Sequence, residues 1–541
     1  MLILTLAVIL RYFNISGFHI YPDSYTGLAV AMNLTDYHSV TGFLGNGGMF
    51  YPDFFSWTRP GFPFLVNIFR FTGFDLFKSG TLISFFAGVI SVLLAYFMLS
   101  TIFKNILFGL SGALLLSISF NHIVWGGFIL TETAGVMFIL LFLWLLFSGI
   151  NILSQWGNLR DLLAGFLLAF SILIRYEYAS LSLPVFLLIL AINPFPLKKI
   201  INIFASAVFI CFFVFFNLYP LSIISLSVLV QFQDSLKVLA AILTLIIMYI
   251  IFLIKFPGIT QRFFGHFLTV IAWIALPLLA LIFMLQSVFK DKIFLFLPLT
   301  ALRNFFINDF FLGILFILGI IFLNNKPKFK PVVSFFLSSI IILGSIYTQL
   351  NFQMQRYWTH LLPFFLVPAA YALVVILHQK RFLINLSLLV LISFQIYLSA
   401  RGLRYWNNGA WFNSQNYEET AASKIPGSLI DSSTLLLVSR PEPYYFVTRL
   451  PVQSVADQYP FLFLDKTLAD RNILIVEDAG MYRQFPKFNK IILNYLQHYE
   501  KTSYYTGQNY YSGNVIEPEK NAVRLYKIKL FELQKIIAGV H

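Results

Sequence analysis

The chain has 541 residues, of which 59% are hydrophobic, 18% aromatic and only 11% charged. Soluble domains carry about 25% charged residues, so this composition excludes an ordinary soluble protein and predicts a polytopic membrane protein. The net charge of +14 does not indicate a nucleic-acid partner, because the basic residues lie in short clusters between apolar runs and form no nucleic-acid-binding motif.

The first apolar run, near residues 1–15, predicts an uncleaved helix, because it has neither a basic leading region nor a signal-peptide cleavage site. This run is short for a full span, which is compatible with a start upstream. A long polar segment near 16–78 follows it. Counting runs of about 17 to 25 apolar residues gives about thirteen predicted transmembrane helices in all. The later predicted spans lie near 80–101, 105–121, 130–149, 161–175, 178–193, 200–221, 236–255, 264–288, 309–324, 331–350, 358–377 and 382–400.

Short clusters of Lys and Arg between the apolar runs orient these helices. Such residues are enriched in cytoplasmic loops, and most of the clusters fall inside when the first long loop is placed outside. Of the ten acidic residues before position 401, nine then lie at or near the outer face, and Asp161 lies inside. The sequence therefore predicts a functional surface on the outer side of a cell-membrane protein.

Residues 401–541 are more polar and predict a separate outer domain, following a membrane domain of residues 1–400. Three apolar segments, "STLLLVS", "NILIVED" and "AVRLYKIKL", predict strands, and the amphipathic "FNKIILNYLQHY" predicts a helix. The expected fold is a polytopic α-helical membrane protein with a small C-terminal extracytoplasmic α/β domain.

Asp23, in "FHIYPDSYTGLAVAMN", is the first candidate for chemistry because it follows the first apolar run directly. Charged residues near a bilayer are costly and tend to be functional. Asp23 can act as a general base or a metal ligand, and Pro-Asp-Ser before an apolar run is also typical of a helix N-terminus. The spacing leaves both interpretations open.

Arg59, in "FYPDFFSWTRPGFPFLVNIFR", is the second candidate. It precedes Pro60 and Pro63, which favour the start of an apolar helix. A guanidinium at that position can bind a lipid phosphate through two hydrogen bonds, or simply extend toward the lipid headgroups. Asp53, in the same segment, repeats the Tyr-Pro-Asp that contains Asp23.

Three further sites place charges at the outer ends of apolar helices. They are Glu132 in "GGFILTETAGVMF", Arg175 and Glu177 in "LIRYEYASLSLP", and Arg356 with Tyr357 in "QLNFQMQRYWTHLLPFF". Each one alone can be a structural ion pair or a helix cap. Their common outer face favours a shared function.

The chemistry that suits this face is group transfer from a lipid phosphate. The sequence has no glycine-rich phosphate loop or dinucleotide-binding fingerprint, so a site facing outward needs a donor that the membrane delivers, such as a polyprenyl-phosphate sugar. Arginines stabilise the leaving phosphate, and one carboxylate accepts the proton of the acceptor hydroxyl. A divalent cation such as Mg²⁺ or Mn²⁺ is compatible with this chemistry, although the single cysteine, Cys211, and the scattered histidines form no zinc motif.

These motifs, in this order, resemble the integral-membrane C-type (GT-C) glycosyltransferases. The group concerned contains the dolichyl-phosphate-mannose–protein mannosyltransferases and the lipid A aminoarabinose transferase. "LRYFNISGFHIYPDSYTGLAVAMN" is similar to the first helix and the Asp-containing first loop of that family, and "WTRPGFPFLVNIF" to its Arg-Pro-Pro-x-x-Pro element, with Gly61 in place of the second proline. The tail from "AASKIPGSLIDSSTLLLVSRPEPYYFVTRLPV" onward resembles the family's extracytoplasmic domain.

The resemblance implies roles for residues of this chain. It makes Asp23 the catalytic carboxylate and assigns the donor phosphate to Arg59, Arg175 and Arg356. Structural or acceptor-side roles then go to Glu132 and Glu177. Many members carry Asp-Glu where this chain has Asp23-Ser24, so a second acid is missing here, and Asp53 is the nearby substitute.

The expected function is that of an inverting glycosyltransferase with a polyprenyl-phosphate sugar donor, a lipid, glycan or protein acceptor and no nucleic-acid partner. A transporter or flippase for lipid-linked sugars is the alternative from another class. Transporters tend to show internal repeats and ionisable groups at mid-membrane, whereas the charges here collect at one surface. A non-catalytic scaffold with a sensing tail is a third interpretation.

Overall fold

The computed structural model describes the chain in segments separated by gaps. The described residues are 1–15, 22–36, 59–148, 157–192, 196–218, 308–324, 326, 329–349, 354–379, 381–408, 417–431, 434–439, 441–450, 452–454, 472–478, 501–505 and 522–529. The predicted spans near 236–255 and 264–288, and the predicted helix at 488–499, lie outside these residues.

Helices make up most of the described chain. The α-helices are α1 (Leu2–Ile15), α2 (Pro22–Asp36), α3 (Gly61–Arg70), α4 (Leu76–Phe103), α5 (Ile106–Ile118), α6 (Phe120–Trp125), α7 (Thr131–Ser148), α8 (Gly157–Ile174), α9 (Ser182–Ile192), α10 (Pro196–Leu218), α11 (Phe310–Asn324), α12 (Lys330–Gln349), α13 (Met354–Trp358), α14 (Leu362–His378), α15 (Phe382–Asn408), α16 (Tyr417–Ser423) and α17 (Pro441–Thr448). Three short 3-10 helices in the same described residues span Tyr176–Leu181, Thr359–Leu361 and Gly427–Leu429.

The predicted transmembrane spans that fall on described residues are helical over most of their length. Among the described residues, four helices are long and apolar enough to cross a membrane: Leu76–Phe103, Thr131–Ser148, Arg356–His378 and Phe382–Arg401. Shorter apolar helices accompany them in the described segments. The prediction of a multi-pass helical membrane protein is confirmed, and the total number of spans stays a prediction.

The described residues form two compact units. The first unit contains those within 1–18, 81–216 and 224–404, and the second contains those within 19–80, 217–223 and 405–541. The second unit thus combines much of the first long loop with the C-terminal tail. The domain boundary predicted at residue 400 stays a prediction.

Helices α11 and α14 of the first unit approach each other closely at a glycine. A Cβ built on Gly319 would overlap the carbonyl oxygen of Pro368 and lie 2.8 Å from its Cα. Glycine at such a point lets two helices pack backbone against backbone in a membrane. The contact explains why a glycine is needed inside this apolar helix.

Gly319→Ala is therefore expected to destabilise the protein by about 1–3 kcal/mol, because the added methyl group overpacks a site bounded by backbone. The measurement is the melting temperature of the purified protein in detergent. Gly344→Ala is the matched control, since the atoms nearest to a Cβ there are Trp358 ring carbons at 3.7 and 3.8 Å. Equal melting temperatures for the two variants would contradict the close packing.

The predicted span near 105–121 is interrupted at Ser119, whose extended backbone (φ −63°, ψ 117°) separates α5 from α6. The carboxylate of Asp309 accepts hydrogen bonds from Ser119 Oγ (3.0 Å), the Phe120 N–H (2.7 Å) and Asn121 Nδ2 (2.7 Å). Backbone groups that a break exposes within a membrane need partners inside the protein. Asp309 supplies them at the start of α6.

Arg11 of α1 contacts residues on both sides of this break in the sequence, Leu116 and His122. Its side chain is buried, donates a hydrogen bond to the Leu116 carbonyl at 3.2 Å and lies 2.6 Å from His122 Nδ1. A Cβ on Gly88 would lie 2.9 Å from Arg11 Nε, so Gly88 leaves room for the guanidinium. Its partners in the described residues are thus a histidine, the Ala7 carbonyl of α1 and two carbonyl groups at the C-terminal end of α5, where a helix dipole favours positive charge.

The second unit contains a five-stranded sheet in the order β2-β1-β3-β5-β4. Its strands are β1 (Leu435–Val438), β2 (Val452–Ser454), β3 (Asn472–Glu477), β4 (Lys501–Tyr505) and β5 (Ala522–Lys529). Strand β1 pairs in parallel with β2 and β3, whereas β5 is antiparallel to both β3 and β4. The three predicted strands correspond to β1, β3 and β5, while β2 and β4 were not predicted.

Candidate active site

Two arginines and two glutamates singled out in the sequence lie together in the first unit. Glu132 is in the first turn of α7, Arg175 immediately precedes the 3-10 helix that contains Glu177, and Arg356 belongs to α13. The exposed fractions of Glu132, Arg175 and Arg356 are 1%, 1% and 6%. We call these four residues and Tyr357 the charge cluster. Buried charges are stable only when they are paired, which explains why they lie together.

Glu132 is shared by the two arginines. Its Oε1 lies 3.4 Å from Arg356 Nε and 3.9 Å from Arg175 Nη1. The Oε1 of Glu177 lies 3.6 Å from Arg175 Nη2, and Arg175 Nη1 also donates to Thr131 Oγ1 at 3.2 Å. A charge-assisted hydrogen bond measures about 2.7–2.9 Å, so the carboxylates balance the arginine charges through longer contacts.

The ring of Tyr357 contacts both guanidiniums of the charge cluster. The Cζ of Arg175 lies 4.9 Å from the ring centroid, and the Cζ of Arg356 lies 4.8 Å from it. Arg356 Nη2 also donates a hydrogen bond to the Tyr357 hydroxyl at 3.0 Å. Both distances lie within the range of a cation–π interaction, so one aromatic ring helps to hold two like charges near each other.

The carboxylate of Glu132 is unusual for a buried group. Neither oxygen has a hydrogen-bond partner within the described part of the chain. Most buried polar atoms in proteins have at least one such partner, and exceptions often mark a functional site. Among the residues of the charge cluster, Glu132 is therefore the one whose loss of charge would disturb the cluster most.

A second buried pair, Tyr178 and His360, lies next to the charge cluster along the same elements. The Tyr178 hydroxyl and His360 Nδ1 are hydrogen-bonded at 2.8 Å, and both side chains are fully buried. A Cβ on Gly135 of α7 would lie 3.1 Å from His360 Cε1 and 3.2 Å from the Tyr178 hydroxyl. This pair was not predicted, although its members follow Arg175 and Arg356 in the sequence by only three and four residues.

In the second unit, the helices that begin near Asp23 and Arg59 pack against each other. The ring of Phe62 in α3 would lie 3.6 Å from a Cβ on Gly27 of α2, and Asn67 Nδ2 donates to the Ala31 carbonyl at 2.7 Å. These contacts occur in the same order along both helices, so the two helices run parallel. Their N-terminal ends, with Asp23 and Arg59, are therefore at the same end of the pair.

The structure places the other predicted site residues as follows. Asp23 lies in the first turn of α2, and its side chain is outside the described structure, as is the whole of Asp53. Arg59 is half-buried immediately before Pro60 and α3. No group of three or more His, Cys, Asp or Glu residues is arranged to hold a metal ion among the residues that were described.

Comparison with known proteins adds a family match. Residues 59–219 match the model of the dolichyl-phosphate-mannose-protein mannosyltransferase family. This segment includes Arg59, Glu132, Arg175 and Glu177. No curated protein sequence matches the chain significantly.

Solved structures resemble the whole chain at low sequence identity. The oligosaccharyltransferase of Archaeoglobus fulgidus, tethered to an acceptor peptide, aligns at 13% identity over 98% of this chain and 76% of its own, with a TM-score of 0.53. The same enzyme with Zn and sulfate aligns at 14% identity over 97% and 75%, with a TM-score of 0.51.

ArnT from Cupriavidus metallidurans, bound to undecaprenyl phosphate, aligns at 10% identity over 97% of both chains. Its TM-score of 0.44 is too low to support an argument about the fold. The likeness in overall fold is therefore to the oligosaccharyltransferase. The chain thus resembles the dolichyl-phosphate-mannose-protein mannosyltransferase family over residues 59–219 and resembles the oligosaccharyltransferase in overall fold.

Proposed function

We propose that the protein is an inverting glycosyltransferase of the outer face of the cell membrane. It moves a sugar from a polyprenyl-phosphate donor, with an undecaprenyl or dolichyl chain, to a hydroxyl group of a lipid, glycan or protein. The observation that carries this proposal is the charge cluster, in which Arg175 and Arg356 are buried side by side around one shared carboxylate. The family match over residues 59–219 supports the same reaction class.

The charge cluster suits a phosphate that gains negative charge during the reaction. The acceptor oxygen attacks C1 of the sugar, the bond between C1 and the phosphate oxygen breaks, and polyprenyl phosphate leaves with the electron pair. We assign Arg175 and Arg356 to this phosphate, because guanidiniums bind it through paired, charge-assisted hydrogen bonds. These bonds are shorter than the present contacts with Glu132 and Glu177, so a bound phosphate can compete with the carboxylates.

The acceptor hydroxyl must lose a proton when it attacks, and we assign this proton to Asp23. A positioned carboxylate that takes up the proton contributes to the rate as a general base. Arg59 lies two residues before α3, the helix packed in parallel with α2, and we assign it as a further phosphate-binding residue. A divalent cation such as Mg²⁺ or Mn²⁺, when bound, would add a further counter-charge to the phosphate.

The decisive experiment incubates the purified protein in detergent micelles with a polyprenyl-phosphate sugar and a hydroxyl acceptor. A glycosyltransferase is expected to release polyprenyl phosphate and to form a glycosylated acceptor of inverted configuration. A flippase moves its cargo across a membrane without breaking a bond, so it would leave the donor intact in micelles. An intact donor across the donor sugars tested would count against the proposal.

The roles of the arginines are tested in the same assay. Arg356→Lys keeps the positive charge but loses the planar set of N–H donors that binds a phosphate through two hydrogen bonds. Arg356→Met loses both the charge and the donors. The KM for the donor is expected to rise in both variants and to rise further with Met. An unchanged KM in the Met variant would remove Arg356 from the phosphate site.

A further inference from the structure

We propose that the C-terminal segment of the second unit holds α2 in place and so positions Asp23 for catalysis. This inference rests on the proposed function, in which Asp23 is the base. Residues Leu28–Met32, in the middle of α2, are each at most 1% exposed. A helix buried to this extent within its unit has its position set by its neighbours, and two of those neighbours are α16 and α17.

Two hydrogen bonds join α2 to these helices. The Tyr25 hydroxyl donates to Glu419 Oε2 of α16 at 2.5 Å, and the Tyr445 hydroxyl of α17 donates to Asn33 Oδ1 at 2.8 Å. Tyr25, Asn33 and Tyr445 are at most 2% exposed and Glu419 is half-buried, so water competes little for the bond between Tyr445 and Asn33 and has more access to the bond between Tyr25 and Glu419. We call Tyr25, Asn33, Glu419 and Tyr445 the α2 anchor.

An aromatic cluster lies beside the first of these bonds. The ring of Tyr25 packs edge-on against Phe77, with 6.2 Å between ring centroids, and against Phe446, with 6.1 Å. Phe77 and Phe446 also contact each other, at 4.8 Å. Edge-to-face aromatic pairs have a preferred geometry, so this cluster restricts how the Tyr25 ring can move.

The placement of the α2 anchor determines what it can control. Tyr25 lies two residues after Asp23, and Asn33 lies about two helical turns further along the same helix. Fixing a helix near both ends limits its sliding and its rotation about its own axis. A catalytic group must be held within about 0.5 Å of its productive position, and the first turn of a free helix would not stay within that limit. The members of the α2 anchor are therefore positioning residues, which do not touch substrate.

Two adjacent tyrosines of α17 provide a matched test. The Tyr445 hydroxyl binds Asn33 of α2, whereas the Tyr444 hydroxyl donates to Asp478 at 2.8 Å, away from α2. Both tyrosines are buried, and Tyr→Phe removes one hydroxyl group from each. The difference between Tyr445→Phe and Tyr444→Phe thus isolates the bond to α2 from general damage to the C-terminal segment.

Hydrogen exchange of residues 24–36 in the full-length protein provides the first readout. Tyr445→Phe and Glu419→Gln are expected to speed this exchange by about two- to tenfold, the range that the loss of one hydrogen bond gives. The same variants are expected to lower kcat by a larger factor than they raise the donor KM, because two of the three residues assigned to the phosphate, Arg175 and Arg356, belong to the first unit. Tyr444→Phe should change neither the exchange of α2 nor the kcat.

The outcomes separate this inference from the proposed function. Unchanged exchange of α2 in Tyr445→Phe and Glu419→Gln would overturn the α2 anchor, even if Asp23 proved to be catalytic. Faster exchange with unchanged kcat would overturn its positioning role, as would equal effects of the two tyrosine variants. Full activity of Asp23→Asn would instead overturn the role of Asp23, while the exchange data would still report on the anchor.

Discussion

Asp23→Asn is expected to lower the turnover number of sugar transfer by about 10²–10⁴-fold, the usual contribution of a general base. An amide is close in size to a carboxylate but cannot take up the proton of the acceptor hydroxyl. The helix should persist, since the loss of one negative charge in its first turn costs about 0.3–1 kcal/mol. Release of polyprenyl phosphate under saturating donor measures the effect, and the melting temperature reports on folding.

Asp36→Asn is the matched control, because Asp36 is the last residue of the same helix. It makes the same chemical change within α2, at the end opposite to Asp23. We expect near-normal turnover from it. Comparable activity in the Asp23 and Asp36 variants would show that the acid at position 23 has no part in the reaction.

Glu132→Gln is expected to destabilise the protein by about 3–5 kcal/mol, the typical cost of removing one partner from a buried ion pair. Glutamine keeps the shape of the side chain but leaves Arg356 without the carboxylate that lies 3.4 Å from it. It also reduces the negative charge near Arg175, which keeps its contact with the Glu177 carboxylate. The melting temperature and the free energy of unfolding in detergent measure the effect.

Two variants control this experiment. Glu177→Gln removes a carboxylate that contacts one arginine, and should cost less than Glu132→Gln. Adding Arg356→Met to Glu132→Gln also removes the guanidinium that faced the lost carboxylate and should recover part of the stability, without recovering activity. If the Glu132→Gln protein had the same melting temperature as the unmodified protein, the shared carboxylate would contribute nothing to the stability of the fold.

The charge cluster could be predicted from the sequence because charged residues stand out within apolar runs. Glu132, Arg175 and Arg356 occur at the ends of helices that are otherwise nearly uncharged. The cost of burying such groups leaves few arrangements other than mutual pairing. The helical fold was predictable for a related reason, since long apolar runs near a bilayer form helices to satisfy their backbone groups.

Other features depend on contacts between distant parts of the chain. The break at Ser119 lies inside a continuous apolar run, and its main partner, Asp309, is 190 residues away. Strand β2 has three residues and β4 has the polar sequence KTSYY, so neither shows the alternation that identifies a half-buried strand. The parallel packing of α2 and α3 follows from the contacts of Gly27 and Asn67, which no local pattern marks.

The burial of Arg11 has a consequence for how the protein is assembled in the membrane. An arginine within a lone membrane helix raises the free energy of insertion, by up to about 2.5–3.5 kcal/mol when it lies at the helix centre. The Arg11 guanidinium binds His122 and the carbonyl of Leu116. Leu116 is synthesised 105 residues after Arg11. The first helix therefore reaches its stable position in the bilayer only after α5 and α6 have emerged from the ribosome, which makes the order of synthesis part of the folding pathway.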